Sequence, residues 1–168
     1  ERQVVFREAD AAAGAPKAVA AAARLGEVNS SIELRPRVED VNPRTVEELC
    51  AGADVVVDGT DNFQTRYLLN DACVKHGWPL VYGGVVGTVG MTMTVVGGQA
   101  PGIGHRAPGG GEARPGPGRP DRGTQTCCLR CVFPEPPPPG AAATCDTAGV
   151  LGPMVGVVAS IQAAEAIK

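Results

Sequence analysis

The stretch ADVVVDGTDN, residues 53–62, runs directly into FQTRYLLN, residues 63–70. Its short β-branched apolar run predicts a strand of the kind that a parallel sheet buries on both faces, and Gly59 ends the run. The polar side chains of Thr60, Asp61 and Asn62 follow where a helical pattern begins, so they can cap that helix. We therefore expect a strand, a polar turn and a helix, with the turn at the sheet edge where α/β proteins bind ligands.

The segments on either side of this stretch predict an α/β fold. Helical and strand patterns alternate along the chain, and a Gly-interrupted segment before residue 97 is typical of paired strands. This order predicts half of a doubly wound, Rossmann-like sheet with a paired-strand extension. The other predicted elements are helices at 14–28 and up to Cys50, an edge strand at 32–38, a strand from Pro79, paired strands within 85–96 and a final helix at about 154–168.

Length and composition favour one domain over residues 1–168, since 168 residues with 43% hydrophobic content can bury a real core. Residues 97–125, dominated by Gly and Pro, predict a flexible insertion. The net charge of -3, with dispersed Lys and Arg, argues against nucleic-acid binding. There is no long apolar run or secretion signal, so we expect a cytoplasmic protein; the missing initiating Met suggests a fragment of a longer product.

Asp61 has two interpretations from the local sequence. It can cap the helix that follows, or its carboxylate can hold Mg²⁺ bound to nucleotide phosphates, because hard cations prefer oxygen ligands. Lys17, near the start of a helical pattern, could meet a phosphate there. Arg2 and Lys17 are otherwise ordinary surface cations.

The six cysteines do not resemble the framework of a disulfide-rich secreted domain. Cys128 and Cys131 have the Cys-x-x-Cys spacing that lets two thiolates reach one tetrahedral Zn²⁺; a redox dithiol and two inert buried thiols are the alternatives. His76, His105 and Cys127 are poor candidates for the remaining ligands, so a second pair is expected beyond Lys168. Cys145 lies in a polar, Gly-bounded segment, either as an accessible nucleophile or as an incidental loop thiol.

Five motifs occur in one order along the chain, and together they resemble the ThiF/MoeB/HesA family of ubiquitin-activating-enzyme-like adenylyltransferases. The resemblance covers nearly the whole chain apart from the Gly/Pro-rich insertion. The motifs are ERQ at 1–3, GAPKA at 14–18, DGTDNF at 58–63, CLRCVFP at 128–134 and TCDTAGVLGP at 144–153.

The resemblance implies an enzyme that uses Mg-ATP to adenylylate the C-terminal Gly-Gly carboxylate of a small ubiquitin-fold sulfur-carrier protein in thiamin or molybdopterin biosynthesis. Arg2 and Gln3 match the family's Arg-Gln motif, whose Arg contacts ATP phosphates, and Lys17 matches its phosphate-binding Lys. Asp61 matches the Mg²⁺-linked Asp of Thr-Asp-Asn, with Asn62 beside it. Stabilising the charge on the α-phosphate needs cations and a metal but no proton transfer by the protein.

The same resemblance implies that Cys128 and Cys131 form half of a structural four-cysteine zinc site. Cys145 matches the Cys that thiamin-branch members use in a persulfide link to the carrier. A homodimer is expected, with a sulfur donor such as a cysteine desulfurase or rhodanese. The family's Gly-rich nucleotide loop would precede Glu1, so we expect this chain alone to be inactive. The other hypotheses are a non-catalytic, zinc-stapled module that binds a ubiquitin-fold partner and an NAD-dependent oxidoreductase.

Overall fold

A three-stranded sheet with a helix on each face organises the part of the chain that the structure describes. The structure, a computed structural model, describes residues 14–96, 126–138 and 145–168. In chain order the elements are α1 (Lys17–Val28), α2 (Val46–Cys50), β1 (Val56–Asp58), α3 (Phe63–His76), β2 (Leu80–Val86), β3 (Val89–Val95), α4 (Leu129–Val132), α5 (Cys145–Ala148) and α6 (Gly152–Ile167).

The strands lie in the order β1-β2-β3. β1 and β2 are parallel, with Asp58 opposite Tyr82, and α3 makes the crossover between them. β2 and β3 form an antiparallel hairpin around Gly87, with Val86 opposite Val89. The mixed α/β sheet and its paired-strand extension confirm the predicted fold class.

The helix α3 packs on one face of the sheet because its inward positions carry apolar side chains. Leu69 and Ala72 are buried against α2, and Val56 of β1 packs beside them. The helix ends at Gly77, which has the left-handed φ of 72° that glycine adopts without strain. The sequence predicts the same end, because a Gly directly after a helical pattern is a common helix stop.

The helix α6 covers the opposite face, where it packs on β2 and β3. Val57, on the α6 side of β1, is 39% exposed. The prediction that this strand is buried on both faces is therefore wrong for the described residues, because α6 lies over the other two strands.

Two glycines in β2 make room for side chains rather than for a ligand. A Cβ at Gly83 would lie within 2.5 Å of the Gln162 amide nitrogen, and one at Gly84 would lie 2.8 Å from the Tyr82 hydroxyl. Gln162 enters from α6 and donates to the buried carbonyls of Asp58, at 2.8 Å, and Val81, at 3.1 Å. Gly83 thus allows α6 to approach the sheet closely, while Gly84 leaves room on the α3 face for Tyr82 and Arg66.

The predicted edge strand at 32–38 does not form. Within the described residues no strand pairs with this segment, so its backbone has no ladder to join. Instead, its charged side chains make local ion pairs, including Arg37 with Glu39 and Glu48. Across the described ranges, no helix combines the length and the apolar content needed to cross a bilayer.

Candidate functional site

The polar turn between β1 and α3 is organised by Asn62. Its Oδ1 accepts a hydrogen bond of 2.8 Å from the backbone N–H of Thr65, while its own backbone stays extended. This is the geometry of a helix N-cap, worth about 1 kcal/mol in typical proteins. The interpretation of Asp61 as the helix cap is therefore wrong, because its neighbour performs that task.

Asp61 is half-buried and lies on the wall of a cavity of about 420 Å³ beside the carboxyl end of β1. This is the sheet edge at which the sequence predicts a ligand site. The wall combines the turn with the segment before α2: Glu39, Asp40, Val41, Thr60, Asp61, Asn62 and Thr65.

Oxygen atoms dominate this wall, which suits a hard cation better than a soft one. Among the described residues, no three His, Cys, Asp or Glu side chains converge to hold a metal ion by themselves. Mg²⁺ commonly binds proteins through one or two carboxylates together with substrate phosphates. The donor set at Asp61 therefore fits a hard cation only together with oxygen ligands from another molecule.

A buried pair, Asp58 and Arg66, lies beneath the turn. Asp58 is 1% exposed, and its Oδ1 accepts hydrogen bonds from the N–H of Thr60, at 2.8 Å, and from the Thr60 hydroxyl, at 2.7 Å. Burial raises the pKa of the Asp58 carboxyl, although the Thr60 hydrogen bonds and the Arg66 charge act in the opposite direction. The Arg66 Nε lies 3.8 Å from the Asp58 Oδ2, which accepts no hydrogen bond.

Sequence reasoning missed Arg66, although the chain carries a signal for it. Phe63, Arg66, Tyr67 and Asn70 have the i, i+3, i+4, i+7 spacing of one helical face. In the structure that face is turned inward, and Arg66, Tyr67 and Asn70 are all buried. A charged residue among the inward positions of a helix indicates a specific buried partner.

The turn that carries Cys128 and Cys131, which we call the dithiol turn, is also held by α3. Cys128 precedes the short helix α4, and its Sγ lies 3.8 Å from that of Cys131. Two thiolates bound to tetrahedral Zn²⁺ at about 2.3 Å are separated by roughly 3.8 Å, so this pair fits half of a zinc site.

Buried contacts from α3 keep the dithiol turn in place. The backbone N–H of Leu129, a residue 1% exposed, donates to Asn70 Oδ1 at 2.9 Å. The Tyr67 hydroxyl donates to the Phe133 carbonyl at 2.7 Å. Helix α3 therefore supports the Asp61 turn at its start and the dithiol turn along its length.

Two other cysteines lie in segments whose sequence pattern predicts a helix, and the structure places both in helices. Cys50 and Cys73 are buried in α2 and α3, and burial raises the pKa of the Cys73 thiol to about 12. A thiol with this pKa is inert at neutral pH. His76 stacks on Trp78, and its Nε2 lies 2.8 Å from the Glu47 Oε2.

The remaining predicted site residues are only partly placed. Arg2, Gln3 and the insertion at 97–125 lie outside the described residues. Lys17 is exposed at the first position of α1 and does not line the cavity. Cys145 begins α5, a short helix followed by Leu151, whose N–H donates to the Gly87 carbonyl at 2.8 Å. Of the predicted nucleotide-site residues, the structure places Asp61 and Asn62 together at the cavity.

A family model described as "ThiF family" matches residues 1–168. The chain belongs to the ThiF family. This confirms the resemblance drawn from the five motifs, and it agrees with the mixed sheet and with the position of the Thr-Asp-Asn turn.

Curated relatives of this ThiF-family chain are named as activating enzymes or adenylyltransferases. The chain is 40% identical over 168 residues to the "SAMP-activating enzyme E1" of Haloferax volcanii, covering 100% of the chain and 52% of that relative. It is 38% identical over 168 residues to the "Sulfur carrier protein ThiS adenylyltransferase" of Bacillus subtilis, covering 100% and 42%. For the "Sulfur carrier protein adenylyltransferase" of Thermus thermophilus the identity is 37% over 172 residues, covering 99% and 53%. The chain thus spans about half the length of these relatives.

Proposed function

We propose that the protein containing this chain uses Mg-ATP to adenylylate the C-terminal Gly-Gly carboxylate of a ubiquitin-fold sulfur-carrier protein. The observation that carries the proposal is the ThiF-family match over the whole chain, with relatives named as adenylyltransferases of sulfur carriers. The cavity at the carboxyl end of β1, with Asp61 on its wall, supports it. The carrier would serve thiamin or molybdopterin biosynthesis.

Asp61 is the residue of this chain best suited to hold the Mg²⁺ of the nucleotide. Its carboxylate borders the cavity, while its neighbour Asn62 caps α3. Arg2 and Lys17 would contact the phosphates, since they match the family's phosphate-binding cations, and Gln3 would help to form the nucleotide site as part of the Arg-Gln motif. Bound with ATP, Mg²⁺ would neutralise part of the charge on the triphosphate.

The reaction requires positioning more than acid–base chemistry. The carrier carboxylate attacks the α-phosphorus of ATP, the bond to the β-phosphate oxygen breaks, and pyrophosphate leaves as the acyl-adenylate forms. No proton has to move, so the protein acts through orientation and through cations aimed at the developing charge. Lys17 would supply such a cation directly, and Asp61 would act through the Mg²⁺ that it would hold.

The cysteines would serve the later steps and the fold. Cys128 and Cys131 would hold zinc together with two ligands from elsewhere in the protein, in agreement with their 3.8 Å separation. Cys145 would act in sulfur transfer to the activated carrier, with a cysteine desulfurase or rhodanese as donor. We also propose a homodimer and a cytoplasmic location.

The test is ATP–pyrophosphate exchange by the full-length protein. Exchange should require a carrier that ends in Gly-Gly, and Asp61→Asn should lower it by about 100-fold or more. Asp54→Asn is the matched control, because Asp54 is exposed before β1 and outside the cavity. Exchange without any carrier, or unchanged exchange in Asp61→Asn, would refute the proposal. Carrier binding without any adenylate would favour a non-catalytic binding module.

A further inference from the structure

We infer that Arg66 is a positioning residue that holds the Thr60–Asn62 turn rigid and so orients Asp61 at the cavity. The inference rests on the proposed function for its catalytic consequence. The hold of Arg66 on the turn, which we call the clamp, rests on the structure alone. The clamp and its catalytic consequence can be tested separately.

The guanidinium of Arg66 donates two hydrogen bonds to one backbone carbonyl of the turn. Its Nη2 donates to the Thr60 carbonyl oxygen at 2.6 Å, and its Nε donates to the same atom at 3.2 Å. The Arg66 side chain is only 10% exposed, so little water competes for these bonds. Thr60 precedes Asp61, so this contact fixes the peptide unit through which Asp61 is attached.

A second set of contacts holds the other atoms of the turn. Asp58 Oδ1 accepts from both the N–H and the hydroxyl of Thr60. On the far side, Asn62 caps α3 with its side chain, and its carbonyl accepts the Arg66 N–H at 3.2 Å. The residues before and after Asp61 are therefore both held, Thr60 by the buried side chains of Asp58 and Arg66 and Asn62 by the first turn of α3. Few backbone conformations remain open to Asp61 itself.

The hydrogen bonds of Arg66 favour positioning over simple charge pairing. A pair arranged for stability would join guanidinium and carboxylate through two parallel hydrogen bonds. Here the Asp58 Oδ2 lies 3.8 Å from Nε and accepts no hydrogen bond. The Arg66 donors instead reach Thr60, the Tyr82 hydroxyl at 3.2 Å and the Gly83 carbonyl at 3.4 Å. The charge of Asp58 balances that of the guanidinium. The guanidinium N–H groups donate to the carbonyls of Thr60 and Gly83 and to the Tyr82 hydroxyl.

The arrangement also fixes the guanidinium plane. The Arg66 Cζ lies 5.1 Å from the centre of the Tyr82 ring and 5.8 Å from that of Phe63, within the range of cation–π contacts. Lysine carries the same charge but has neither the plane nor the two forked donors that Thr60 receives. Arg66→Lys therefore keeps the positive charge but removes the paired hydrogen bonds to the Thr60 carbonyl.

The experiment compares full-length wild type and Arg66→Lys by hydrogen exchange and by catalysis. Amides in the peptide covering residues 59–63 should exchange about tenfold faster in the variant, because the turn opens more often. In ATP–pyrophosphate exchange, kcat should fall by about 10- to 100-fold and the Mg²⁺ needed for half-maximal rate should rise, with KM for the carrier unchanged. Val95→Ala, a fully buried change in β3 away from the turn, is a control for general destabilisation and should leave the exchange of residues 59–63 unaltered.

Each outcome decides the inference. Unchanged protection of residues 59–63 in folded Arg66→Lys would overturn the clamp, and faster exchange with unchanged kcat would overturn its catalytic role. If the wild type shows no pyrophosphate exchange, the proposed function fails, while the hydrogen-exchange result still decides the clamp. If Arg66→Lys does not fold, Tyr82→Phe removes one Arg66 partner without touching Thr60. In Tyr82→Phe the amides of residues 59–63 should exchange faster and kcat should be lower, each by about two- to fivefold. Wild-type values in both measurements would overturn the proposal.

Discussion

The close approach of α6 to the sheet predicts that Gly83→Ala destabilises the protein through Gln162. The added methyl group would lie within 2.5 Å of the Gln162 amide nitrogen, so the side chain must move. Moving it breaks two buried hydrogen bonds, to the carbonyls of Asp58 and Val81. Each lost bond costs about 1 kcal/mol, and overpacking costs about 1–3 kcal/mol more. Alanine also lowers the conformational entropy of the unfolded chain, which offsets this loss by about 0.5–1 kcal/mol. We expect a net loss of about 2–4 kcal/mol.

The assay is urea denaturation of the full-length protein in a double-mutant cycle. Gln162→Ala alone should cost about 2–3 kcal/mol, because it leaves two buried carbonyls without their donor. In Gly83→Ala/Gln162→Ala the methyl group enters space that the amide has left. The double variant should therefore be at least about 1 kcal/mol more stable than the sum of the single losses.

The matched control is Gly156→Ala in α6, where an added Cβ would meet no atom within 4 Å. That change should stabilise the helix by about 0.5–1 kcal/mol. Additive single losses, or a neutral Gly83→Ala, would show that the Gly83–Gln162 contact does not hold α6 on the sheet.

Four further predictions concern the turns and the thiols. Asn62→Ala should lower the unfolding free energy by about 1 kcal/mol in urea denaturation, whereas Asn62→Asp keeps an acceptor for the helix N–H and should lose far less; equal losses would contradict the cap. In the native protein at pH 8, iodoacetamide should modify exposed Cys127 but not Cys73, as mass spectrometry can show; modified Cys73 would contradict its burial. Because the Cys73 pKa is raised from 9.0 to about 12, its contribution to stability is complete below pH 9 and is lost as pH rises towards 12. Asn70→Ala leaves the buried Leu129 N–H unpaired and should weaken the zinc binding that we propose for the full-length protein about tenfold in chelator competition, whereas unchanged affinity would contradict a positioning role.

The local part of the site could be predicted because it depends on neighbours in the chain. The apolar run before Gly59, the polar turn and the helix ending at Gly77 follow from propensity, capping and periodicity. The structure forms all three, as β1, the turn and α3. The segment 32–38 shows the limit, because a strand requires a partner and an alternating pattern does not specify one.

The sequence by itself determined the family, the Thr-Asp-Asn turn and the Cys-x-x-Cys pair, since these are patterns of adjacent residues. Only the tertiary structure decided that Asn62 rather than Asp61 caps α3 and that Arg66 binds the Thr60 carbonyl. It also joined Asn70 to Leu129, 59 residues away, and Gln162 to Val81, 81 residues away. Periodicity determines which face of a helix is buried, but the group it meets depends on how distant segments pack.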